Sequence, residues 1–292
     1  MMSPKVHKYY VGTFFGIGIV VTILLAINGY QYYNTSIEER FFNPQHAMLK
    51  PSGAIGHGIG IIGSLMMILG VSIYMIRKRM RKLFSLGILK HWLEFHIFLC
   101  TVGPILVLYH TAFKFGGIVS LSFWSMVLVV LSGVAGRFIY LRIPRSIQGQ
   151  ELGMKELLEQ KEELSNTVRR MLSEDVMTFS HYQSFTSPER YKNLNLFHAV
   201  ILFFKDIFNI RSLTKSLEKR IKHLDMIRAD KKAVFEAAKD EIILARRIGL
   251  LRTFQKLFHY WHIAHLPFAI AMFVIMFIHV GVTIIFGYKW IF

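Results

Sequence analysis

His96 and His110 stand fourteen residues apart, as do His265 and His279, and each pair lies inside a long apolar run. Fourteen steps along an α-helix turn through almost four whole turns and rise about 21 Å, so each pair shares one helix face near opposite ends of a membrane crossing. With 13 histidines in the chain, random placement gives roughly half a pair at any chosen separation. The argument therefore rests on location: ionisable side chains are costly in lipid and functional where they occur there. Two such helices side by side offer two stacked bis-imidazole sites. Iron in haem takes axial imidazole, and a haem held from both sides has no open coordination position, which suits electron transfer rather than oxygen chemistry. The expected iron ligands are His96, His110, His265 and His279, holding two non-covalent haems b. Histidines packed as polar groups, or binding another metal, are the alternative.

The elements that must carry these residues are membrane helices. Mean hydropathy is +0.40, with 53% hydrophobic residues and 25 Phe, too apolar for an ordinary soluble domain. Segments near 9–29, 54–75, 92–113, 117–136 and 261–287 each have the length and low charge that a hydrocarbon core demands. The expected fold is an all-α integral membrane protein of about five transmembrane helices. The first segment reads as a retained anchor, since its apolar stretch exceeds a typical signal-peptide core and no small-x-small cleavage site follows. Cys100 is the single cysteine, which excludes CxxCH haem attachment, a cysteine-ligated iron–sulfur cluster and a disulfide framework. No dinucleotide-binding or Walker A glycine pattern stands in the chain, so no nicotinamide or flavin site is expected.

A net charge of +17 invites a nucleic-acid reading, but the basic residues follow the membrane. Arg77, Lys78, Arg79, Arg81, Lys82 and Lys90 crowd the loop between spans two and three, which the positive-inside rule makes cytoplasmic. Lys5 and Lys8 agree, while Glu38, Glu39, Arg40 and Lys50 form a balanced, outward loop. The chain is expected in the cell (plasma or inner) membrane, N-terminus inside and C-terminus outside, with lipid rather than nucleic acid as its partner. Residues 1–140 would then be spans one to four, 141–258 a cytoplasmic helical hairpin or coiled coil, and 259–292 the fifth span completing the bundle. Within the insertion, Leu157, Leu158, Leu164, Val168 and Leu172 recur near helical period, and a second stretch over 211–247 repeats the pattern. SFTSPERYKN around Pro188 reads as the break between them. The segment 194–208 is apolar but short, and Lys205 and Asp206 interrupt it, so it fits an interfacial or buried helix.

A helical core with two histidines fourteen apart on each of two helices resembles the dihaem transmembrane domains of respiratory cytochrome b, and of ferric reductases and NADPH oxidases. The likeness covers spans two to five. It implies haem ligation by His96, His110, His265 and His279 and electron transfer across the membrane. The chain departs from those reductases in lacking their flavin and nicotinamide domain, and from both groups in its cytoplasmic insertion.

Other residues take their expected roles from this frame. Spans three and five run in the same direction, so His96 pairs with His265 near the inner face and His110 with His279 near the outer. Gly103, midway between its two histidines, either admits a porphyrin or serves helix packing. His57 bonds an outer propionate, acts as a ligand or is a packed polar group. Arg137 and Arg142 offer cations to inner propionates, or are only the positive-inside signal. His91 and Glu94, with His259 and His262, form an inner quinone and proton site or a polar headgroup belt; a third haem through His91 is a further alternative. The leading function is a membrane cytochrome b subunit, an oxidoreductase component passing electrons between a quinone pool and a partner redox protein. A histidine-based metal-ion or proton transporter, or a scaffold docking a cytosolic complex, are the competing readings.

Overall fold

The computed structural model describes residues 3–83, 86–143, 153–172, 179–180, 182–183, 186–187, 195–223 and 227–286. Every regular element among them is helical. In chain order these are α1 (Pro4–Asn28), α2 (Tyr30–Asn34), α3 (His46–Leu49), α4 (Ala54–Arg79), α5 (Leu89–His110), α6 (Val119–Tyr140), α7 (Met154–Leu172), α8 (Leu196–His223) and α9 (Arg228–Ile285), with short 3-10 turns at Glu39–Phe42 and Arg81–Leu83. Among the described residues five stretches are long and apolar enough to cross a membrane: Lys5–Asn28, His46–Arg79, Leu89–His110, Val119–Tyr140 and Arg228–Ile285. The chain divides into two compact units, Met1–Ala135 with His262–Phe292, and Gly136–Trp261.

The first unit is organised by α4 and α5. On α4 the buried positions are Gly56, Gly60, Gly63, Met67 and Gly70, and on α5 they include Leu99, Gly103 and Leu106. Steps of three and four along both helices make two narrow seams that meet. Small residues let backbones approach: a Cβ on Gly63 would lie 2.7 Å from the Gly103 carbonyl oxygen, and one on Gly103 2.8 Å from that of Gly63. Pro104 sits within α5 without ending it. Met67, Met126, Met272 and Met276 gather with Phe123 between α4, α6 and α9, where flexible thioethers fill irregular space and favour aromatic neighbours.

Two loops are pinned by buried arginines. Arg40, 5% exposed, donates to the carbonyls of Tyr33 at 2.9 Å, Thr35 at 3.0 Å and Ala112. Ala112 and Phe113, which follow α5, both have positive φ, 48° and 58°, an uncommon conformation for residues with a side chain. The guanidinium holds that turn in place. On the other side Arg77 donates to Leu86 and Gly87 carbonyls at 3.2 and 2.9 Å.

Among its described residues the second unit holds α7, α8 and the first part of α9, with further helical residues at 179–180, 182–183 and 186; the stretch expected over 211–247 falls on the end of α8 and the start of α9. The expected fifth span is the C-terminal part of α9, a helix of 58 residues. The segment 194–208 belongs mainly to α8, where Ala199 and Phe203 are buried in the core of this unit. Asp206 is buried as well. The break around Pro188, and Leu172's side chain, lie outside the described residues. A second core joins Val168, Tyr182, Leu217, Ile221, Val234 and Ile242, and Tyr182 donates its hydroxyl proton to buried Glu241.

Candidate functional site

α4 and α5 run antiparallel in one register, with Gly56 opposite His110, Gly63 opposite Gly103 and Gly70 opposite His96. The glycines at 56 and 70 thus repeat the fourteen-residue spacing of the histidines they face. His96 Nδ1 donates to the Gly70 carbonyl at 3.0 Å, and His110 Nδ1 to the Gly56 carbonyl at 2.8 Å. A carbonyl only accepts, so each Nδ1 carries its hydrogen and the lone pair of the neutral ring lies on Nε2.

His265 Nδ1 lies 2.6 Å from the Ser132 hydroxyl oxygen on α6, which is also 2.9 Å from the Val129 carbonyl. A hydroxyl both donates and accepts, so this contact orients the His265 ring without assigning its tautomer. A metal-bound imidazole is ordinarily oriented as His96 and His110 are, with the far ring nitrogen donating to an oxygen acceptor.

His265 is within electrostatic reach of His96 and His262. His110 is within reach of His279 and His57, and the His57 and His110 rings are 6.3 Å apart. Tyr74 lies over His96 with ring centroids 5.2 Å apart. Contact with α4 accounts for Gly103 by helix packing, one of its two expected roles. A Cβ on Gly60 would lie 2.6 Å from the His110 ring, so this glycine makes room for the imidazole itself. The halfway level is filled by the methionine cluster.

Arg137 and Arg142 belong to the second unit. There Arg137 lies over Tyr140 at 5.7 Å, and Arg142 over Phe138 and Phe203 at 4.7 and 5.0 Å. His259 and His262 are exposed. His91 and Glu94 do meet, 3.2 Å apart, and they are joined by His7 of α1, whose Nε2 is 3.5 Å from the Glu94 carboxylate. Sequence reasoning missed His7, Ser132 and the α4 glycine carbonyls. A faint signal existed for the first: His7, Tyr10, Phe14 and Gly18 recur on one face of α1, the face laid against α5.

No family model, curated protein or solved structure matches this chain.

Proposed function

We propose that the chain is a membrane electron-transfer subunit that binds two non-covalent haems b, the inner between His96 and His265 and the outer between His110 and His279. The observation that carries this reading is the tautomer: His96 and His110 each donate from Nδ1 to a backbone carbonyl, which reserves Nε2 for a metal, and Ser132 holds the His265 ring through its own Nδ1. The pairing of like depths supports it as well. Haem in such a site supplies one-electron chemistry without a vacant coordination position. The protein's part is to fix four imidazoles, exclude water from between them, and hold the two levels about 21 Å apart along the helices.

Electrons pass between a quinone pool in the lipid and a redox partner protein, with the second unit on the cytoplasmic side and the C-terminus outside. The basic loops 77–90 and the N-terminal lysines support this orientation. The test is a reduced-minus-oxidised spectrum of the purified full chain with haem quantified per protein. Two low-spin b haems are expected. Replacing His110 or His279 by Ala removes the same haem, and replacing His96 or His265 removes the other. A folded but colourless preparation rejects the reading, and loss of different haems within either couple rejects the pairing.

A further inference from the structure

At the inner ends of α1 and α5 three ligand atoms converge: His7 Nε2, His91 Nδ1 and a Glu94 carboxylate oxygen, all within 4.8 Å of one another. His91 and Glu94 are one turn apart on α5, and His7 is brought to them by the packing of α1. That packing is specific along its length. Phe14 stacks on Phe98 with centroids 4.5 Å apart, the Tyr10 hydroxyl donates to the His91 carbonyl at 3.3 Å, and a Cβ on Gly18 would meet Val102 at 3.6 Å. The Glu94 side chain is only 9% exposed, against 26% for His7 and 21% for His91.

We propose that His7, His91 and Glu94 bind one divalent transition-metal ion of the zinc class. Bonds of about 2.0–2.2 Å from such an ion to nitrogen and oxygen place tetrahedral ligand atoms roughly 3.3 Å apart. His7 Nε2 lies 3.5 Å from one Glu94 oxygen and His91 Nδ1 3.2 Å from the other, and one ligand atom from each residue falls within 4.8 Å of the other two, so small side-chain rotations bring the three to those edges. Two imidazoles and one carboxylate suit zinc and its borderline neighbours rather than calcium or magnesium, which take oxygen shells. Three protein ligands leave a fourth position for water. Lys90, 3.9 Å from the carboxylate, is exposed enough to swing away when the ion supplies the positive charge. The ion ties α1 to α5 at the inner membrane boundary. It also takes the lone pairs that a proton relay through Glu94 and His91 would need, so the two roles exclude each other.

The test uses the full-length protein in lipid nanodiscs, stripped with chelator and dialysed against equimolar zinc, with zinc and iron counted separately by mass spectrometry. One zinc per chain is expected, with an X-ray absorption edge showing two imidazole ligands and a raised Tm on zinc addition. His7→Ala and Glu94→Gln abolish both signals, whereas His198→Ala, which removes an exposed imidazole on α8, leaves them. A wild type that retains no zinc, or His7→Ala and Glu94→Gln variants that retain it, overturns the proposal. The wild-type count and edge need no substitution, so a misfolded variant does not shield it. Iron content is read independently, so this result stands apart from the haem assignment.

Discussion

Gly60 decides how much room His110 has. A methyl group there would sit 2.6 Å from the imidazole, so Gly60→Ala must turn the ring or part the helices. On the proposed haem assignment, loss of the outer haem with the inner one retained is the expected spectrum, whereas Gly12→Ala, with nothing within 4 Å, leaves both. Ser132 acts on the other ligand helix. Ser132→Ala removes the hydroxyl that holds His265 Nδ1, and losing such a partner weakens metal retention by about 10-fold; haem-transfer titration to apomyoglobin measures this for the proposed inner site. The fourteen-residue spacing of the four proposed ligands was legible because spacing on a helix is a property of sequence. Their hydrogen-bond partners were not, since Gly56, Gly70 and Ser132 meet them only through the register of one helix on another. His7 was hidden for the same reason, lying far from Glu94 in sequence and one contact away in space.

At the scale of elements, the α4–α5 seam is the tightest joint described. Gly63→Val would drive a branched side chain into the Gly103 backbone, and overpacking of this kind costs about 1–3 kcal/mol. A lower midpoint in a mixed-micelle denaturation series is expected, and an unchanged midpoint would mean that the seam yields freely. The second unit holds a different kind of joint, the buried contact between Tyr182 and Glu241, well before the apolar part of α9. Burial pushes the Tyr182 hydroxyl up. Burial also raises the Glu241 carboxyl, against the opposing hydrogen bonds of Tyr182 and Ser165 and the Lys161 charge. The native protein thus holds this proton more tightly than the unfolded chain. The stability Glu241 contributes is full below its unfolded value near 4.5 and is lost as pH rises through the raised native value. Melting temperature should therefore fall as pH is raised from the acid side, and Glu241→Gln should flatten that slope. The spans themselves were readable from apolar length, because lipid leaves a helix few other options. The insertion was less so: its amphipathic period marks helices, yet period alone does not say which of them pack together, as Tyr182 and Glu241 do.

For the molecule as a whole, the basic loops predict an orientation. Reporter fusions at the N-terminus and within the second unit should register the cytoplasm, and a fusion at Phe292 the outside; a cytoplasmic C-terminus would reverse α9 and require the ligand pairs to be redrawn. The methionine layer carries a consequence of another kind. Met67, Met126, Met272 and Met276 are 3–8% exposed, whereas Met48 and Met80 are about half exposed. Peroxide converts a thioether to a sulfoxide, a polar group, and between α4, α6 and α9 that new oxygen enters a layer packed with apolar side chains. In a peroxide dose series followed by peptide mass spectrometry, Met48 and Met80 should oxidise first and the four buried sulfurs last, with loss of folded protein coinciding with the second group. Equal rates would show that the layer opens to solvent. Chemical ageing of this protein is then a threshold rather than a gradual decline: surface sulfurs are spent harmlessly, and damage becomes irreversible when the interior ones begin to react.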